Sequence, residues 1–152
     1  MPMLSRAELL YGPKIELRFE TTGSVVTQCD TAVIQVIATG RADLELSIRF
    51  ERGRLTDFHI WDARARRRHN LCFDNVRVEG STITCAVPTV AVTGASAVPD
   101  LRATFVVNGG LVQPDFPVAI ALTDAPHAAA ATPRPNARRA SRHLRSRISA
   151  IR

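Results

Sequence analysis

The chain has 152 residues, with 20 basic side chains against 14 acidic ones, four histidines, three cysteines and aromatics at 5%. All 14 carboxylates lie at or before Asp124 and seven arginines follow it, so residues 1–124 carry −1, 13 cations less 14 anions, while residues 125–152 carry +7. The formal net charge of +6 therefore describes a tail, and it excludes a uniformly basic fold.

No apolar run approaches the roughly 18–20 residues that a membrane-spanning helix needs. Met1–Tyr11 also lacks the positive start and unbroken apolar centre of a signal peptide. The expectation is a chain that is not secreted and has no transmembrane segment, located in the cytoplasm, in the nucleus or in a virion. Cys29, Cys72 and Cys85 are spaced 43 and 13 residues apart, without the short pairings of zinc ribbons or redox dithiols. Neither a metal nor another cofactor is expected. The basic residues comprise 19 arginines and one lysine, Lys14, a codon bias of GC-rich genomes that suits an actinobacterial, phage or herpes-type viral source.

Ser5 followed three residues later by Glu8 has the form of a helix-capping box, and Gly12-Pro13 has the form of a helix end. The spacing predicts a short N-terminal helix. From Lys14 the period changes to two, with Ile15, Leu17 and Phe19 alternating with Glu16, Arg18 and Glu20, the pattern of a strand with one dry face. Leu44, Leu46, Ile48 and Phe50 repeat the pattern up to Gly53. Between these runs, Ala32–Ile37 is apolar at nearly every position and predicts a central strand covered on both sides. Further strands are predicted at 55–61, 71–79, 82–92 with a break at Pro88, 101–107 and 118–122, with turns at Gly80-Ser81 and Asn108-Gly109-Gly110. Short strands with glycine and proline punctuation predict an all-β fold, an antiparallel β-sandwich or a related barrel, over residues 1–124.

Cys29, Trp61 and Cys85 occur in that order across this segment, and in this the chain resembles an immunoglobulin-like sandwich over residues 14–124. The resemblance implies architecture alone. Trp61 lies farther from the first cysteine than in antibody-type domains, and Ile83 occupies the place of their tyrosine. In an unexported chain the two thiols are expected to stay reduced.

Residues 125–135 hold five alanines, three prolines and no acid, which reads as an extended linker. Residues 136–152 form the third part, an arginine-rich arm. Asn136 stands at a helix-cap position, and Ala137, Ala140, Leu144, Ile148 and Ile151 fall at steps of three and four, so that they line one face of an amphipathic helix. Arg138, Arg139, Arg142, Arg145, Arg147 and Arg152 occupy the remainder. Such a helix is about 24 Å long, marginal in water, and destabilised further by its own like charges, so it is expected to fold on a partner. The partner that fits Leu144, Ile148 and Ile151 as anchors is another protein or a second copy of this chain. Nucleic-acid phosphates are the alternative, and an anionic membrane surface is a third candidate with less in its favour. Arg138-Arg139-Ala140-Ser141 also fits the pattern of a basophilic kinase site, where phosphate on Ser141 would cancel up to two positive charges.

A second basic run, Arg64-Ala65-Arg66-Arg67-Arg68-His69, is expected as a surface loop able to meet phosphate or to act as an import signal. Asp57, His59 and Trp61 share one face of a strand, where the first two side chains emerge about 7 Å apart as a potential acid/base or metal pair without a third member nearby. Cys72, between Leu71 and Phe73, is expected as a buried and inert thiol. No glycine-flanked nucleophile, phosphate-cradling loop or paired catalytic carboxylates are present. The sequence is read as a non-enzymatic structural or interaction module.

Overall fold

The computed structural model describes residues 1–38, 41–88 and 100–122. The alternating runs form strands as expected: β1 (Leu4–Tyr11), β2 (Glu16–Thr21), β3 (Thr31–Ala38), β4 (Arg41–Glu51), β5 (Arg54–Asp62), β6 (Arg67–Asn70), β7 (Val76–Glu79), β8 (Thr82–Ala86), β9 (Leu101–Val107) and β10 (Gly110–Leu122). They hydrogen-bond in the order β6-β5-β4-β3-β9-β10-β1-β2-β8-β7, one curled ten-stranded sheet. The described residues contain no α-helix, and the one short helical element is a 3-10 turn at Phe73–Asn75. None of their helices is long and apolar enough to cross a membrane.

The N-terminal segment corrects the first expectation. Residues 4–11 are a strand, and the Ser5 hydroxyl donates to the Glu20 carbonyl at 3.1 Å instead of capping a helix. A bulge between Leu4 and Arg6 breaks the period of two, and the strand is covered on both faces, with Ala7, Glu8, Leu9 and Leu10 all buried. An unbroken buried run cannot be distinguished from a helix by periodicity, and here tertiary pairing decided. The strand expected to be covered on both sides, β3, instead buries one face through Ala32, Ile34, Val36 and Ala38, with Val33, Gln35 and Ile37 only half-buried on the other.

The sheet is mixed, because β1 pairs parallel with β10 from Glu8↔Ala119 to Tyr11↔Leu122. The expectation of a purely antiparallel fold is corrected accordingly. β10 is also longer than the predicted 118–122. It pairs with β9 from Gly110 to Val118 and then with β1 from Ala119 onward. Pro114 and Pro117 conceal the first half in the sequence, since proline lacks the donor of a ladder bond. Two register shifts absorb the irregularity, one of them spanning Pro114 and Asp115, where Asp115 takes a φ of 54°. Gln113 fills the resulting gap: its Oε1 accepts from the Leu4 amide at 2.6 Å and its Nε2 donates to the Leu4 carbonyl at 3.0 Å. A side-chain amide thereby stands in for a strand partner where β10 passes from β9 to β1.

Three hairpins close on two residues each: Arg52-Gly53 between β4 and β5, Gly80-Ser81 between β7 and β8, and Asn108-Gly109 between β9 and β10. Positive φ at both central residues of the first and third, 49° and 77°, then 50° and 78°, is the twist that suits right-twisted strands. Asn108 does more than turn the chain, since its Oδ1 accepts from the amides of Asp30 and Thr31.

The predicted strand 71–79 is divided. Leu71 leaves β6 with its amide donating to the Phe58 carbonyl at 2.8 Å, the 3-10 turn follows, and only Val76–Glu79 is strand. This short passage links the two outermost strands of the order, β6 and β7. Five residues span about 17 Å at most, so the two edges of the sheet lie near each other. Phe50 and Leu55, from β4 and β5, and Val76 and Val78, from β7, line one groove of about 370 Å³. The other predicted strand, 82–92, ends at Ala86, and its residues 89–92 lie outside the described residues. Phe19, Phe50, Phe58 and Phe105 are fully buried at the centre of one apolar cluster drawn from β1, β2, β3, β4, β5, β8, β9 and β10.

The chain divides into two units after Leu122. The linker 125–135 and the arm 136–152, with Leu144, Ile148, Ile151, Ser141, Arg138, Arg139, Arg142, Arg145, Arg147 and Arg152, lie outside the described residues.

Candidate functional site

Strand β5 sorts its side chains as the period-two pattern requires. Phe58 and Ile60 enter the core, while Asp57, His59 and Trp61 stand on the outer face. Opposite Arg49 and Phe50 the register shifts, leaving Thr56 as the extra residue, so Leu55 can also turn toward the core. The basic run then proves to be more ordered than a loop. Residues 63–66 form the turn, with Asp62 Oδ1 accepting from the Ala65 amide at 2.9 Å and Arg66 in the left-handed region at φ 50°, and Arg67–Asn70 return as β6. All four residues of β6 are exposed.

The register His59↔Asn70 and Trp61↔Arg68 gathers the outward groups, while Asp62↔Arg67 falls on the other face. The Arg68 guanidinium pairs with the Asp57 carboxylate, and its Nε donates to Asn70 Oδ1 at 2.8 Å. His59 Nδ1 lies 3.1 Å from the same Asp57 oxygen, yet it is buried and its geometry forms no hydrogen bond. Asp57 is thus already engaged by a permanent cation, which fits an ion pair fastening β6 to β5 better than a general base. Among the described residues no cluster of three histidine, cysteine, aspartate or glutamate side chains could hold a metal ion.

Trp61 is 40% exposed, on the polar face where the alternation of its strand places it. It lies between Arg68 on one side and Glu45 on the other, with Glu45 Oε1 held by Gln35 Nε2 at 3.0 Å. Of the predicted phosphate-binding residues, Arg66, Arg67 and Arg68 are exposed in this one hairpin, and Arg64 is exposed in its turn. Trp61 and the basic run are separate features in the sequence, and only the β5–β6 pairing brings them together.

The cysteines follow their surroundings. All three are free thiols. Cys85 is fully buried, and burial pushes its thiol up to about 12. Cys29 is half-buried, donates to the Val25 carbonyl at 3.0 Å, and is raised by its partial burial and by the neighbouring Asp30 carboxylate. Cys72 is exposed, contrary to expectation, because the chain has left the sheet before it.

At the opposite end of the sheet, Arg18, Glu20, Arg77, Glu79, Thr82 and Thr84 line a shallow cleft of about 320 Å³. Its two arginines and two glutamates cancel, so it presents no net field to a charged ligand. No family model and no curated protein matches the chain.

Proposed function

We propose that the protein is a non-enzymatic structural or interaction module, a β-sandwich body attached to another protein or to a second copy of itself by its C-terminal arm. The observation that carries this reading is the division of the chain after Leu122, which coincides with its division in charge. Residues 1–124 carry −1, and residues 125–152 carry +7 without one carboxylate. Support for the sandwich comes from the five-residue link between the two edge strands and from the single apolar core shared by eight strands. The arginine bias suits a phage or viral structural or accessory protein.

Leu144, Ile148 and Ile151 are the anchors in this reading. Replacing Leu144 and Ile148 by aspartate in the full chain is expected to abolish association in light scattering and leave the β-type circular dichroism unchanged. Association that survives both substitutions would overturn the reading.

A second reading is favoured by the exposure of the β5–β6 hairpin: binding of nucleic-acid phosphates by the arm together with Arg66, Arg67 and Arg68. It predicts oligonucleotide affinity that falls steeply with salt, as counterions are released from each neutralised phosphate.

A further inference from the structure

We infer that the outer face of the β5–β6 hairpin is a binding site for single-stranded nucleic acid, in which a base stacks on Trp61 and the arginines of the adjoining turn hold the flanking phosphates. This deepens the nucleic-acid reading and rests on it, but it assigns the contact to the body and leaves the arm out.

Three observations converge. The first is an aromatic surface: the only tryptophan of the chain stands on a sheet face with 40% of its surface open. A tryptophan placed in this way offers a flat apolar face on which any base can stack, a sequence-tolerant interaction. The second is charge. Residues 63–70 hold four arginines and no carboxylate. Arg64 and Arg66, in the turn, form no ion pair among the described residues, so their charges are available to a ligand, whereas Arg67, opposite Asp62, belongs to the other face. The third is preorganisation. Arg68, directly across from Trp61, is fixed by Asp57 and Asn70, so the edge of the aromatic platform is rigid before any ligand arrives. The facing acidic group, Glu45, is tied to Gln35.

Among the described residues the outer edge of β6 has no strand partner, and all four of its residues are exposed. An intact duplex does not fit equally well, because its bases are already stacked on one another and leave no free face for Trp61. Inorganic polyphosphate supplies the charge but has nothing to stack.

Because Trp61 is the sole tryptophan, its emission reports on this site alone, whatever the arm binds. The test titrates full-length protein with a fluorescein-labelled oligo(dT), reading label anisotropy for total binding and tryptophan emission for this site. Occupancy of the site should quench Trp61, whereas a duplex of equal charge and polyphosphate should leave its emission unchanged. The double variant Arg64→Glu, Arg66→Glu should weaken the quenching titration by at least tenfold and reduce its salt slope by about 1.4, at roughly 0.7 per phosphate contact on single strands. Its far-UV circular dichroism should match the parent, since both side chains are exposed. Anisotropy that rises without any change in Trp61 emission would overturn this inference and leave the arm as the binding site. No anisotropy change at all would overturn the nucleic-acid reading with it. Equal quenching by polyphosphate would show charge without stacking, and would also overturn the inference.

Discussion

Gly53 and Gly109 occupy the same place in two hairpins of the same form, the second central residue of Arg52-Gly53 and of Asn108-Gly109, with φ of 77° and 78°. Their surroundings differ. A Cβ on Gly53 would lie 2.8 Å from the Val26 carbonyl oxygen and 3.3 Å from Val26 Cγ1, while a Cβ on Gly109 meets nothing within 4 Å. Substitution by alanine imposes the left-handed cost, about 1–2 kcal/mol, at both sites. Alanine also restricts the unfolded chain, which returns about 0.4–1 kcal/mol at both. These two effects are common to the pair and leave a net loss of roughly 1 kcal/mol for Gly109→Ala. Gly53→Ala must in addition move backbone in the 25–30 segment, an overpacking cost of about 1–3 kcal/mol. The expected loss is therefore about 3 kcal/mol, and the difference between the two variants, about 2 kcal/mol, measures the contact with the φ effect removed. Urea unfolding followed by far-UV circular dichroism gives both values. In thermal unfolding the difference corresponds to roughly 8 °C for a domain of this size. If the two variants lose equal stability within about 0.5 kcal/mol, the close approach of Val26 to the β4–β5 turn is not a constraint on the fold, and the reasoning fails.

Two further outcomes follow from the described geometry. Cys85 is held at about 12 in the fold against about 8.5 in an unfolded chain, so above pH 9 the unfolded state binds fewer protons and stability falls as pH rises toward 12, by about 1 kcal/mol per pH unit. Cys85→Ala should remove that slope from urea midpoints measured between pH 8 and 11, and an unchanged slope would contradict the assignment. Gln113→Leu removes both hydrogen bonds to the Leu4 backbone and should cost about 2 kcal/mol, with early loss of hydrogen-exchange protection at the Leu4 amide. A Leu4 amide as protected as in the parent would mean that β1 is held by its other pairings alone.

Alternation was sufficient where a strand has one wet face. Residues 44–51 and 101–107 could be placed from sequence because each polar residue between apolar neighbours marks a side in contact with water. It failed for β1, whose two covered faces and bulge leave no polar rhythm, and for the first half of β10, where Pro114 and Pro117 imitate a loop. It also erred at Cys72, where five residues carry the chain from one edge of the sheet to the other and break a run that reads as continuous. The outward set Asp57, His59 and Trp61 was legible, but its connection to the basic run was not, since nothing local in residues 63–70 specifies the register Trp61↔Arg68.

The sequence by itself determined the all-β character of the described residues, the turns at Gly80-Ser81 and Asn108-Gly109-Gly110, and the separation of a nearly neutral body from a +7 C-terminal segment. These are properties of single residues and of short-range periodicity: side chains alternate every residue, glycine reaches positive φ, and charges add. Only the tertiary structure decided that the N-terminus is a central strand, that β10 bridges β9 and β1, and that Arg68 is pinned beside an exposed Trp61. Those outcomes depend on which strand pairs with which and in what register, and pairing energies are set by partners dozens of residues away.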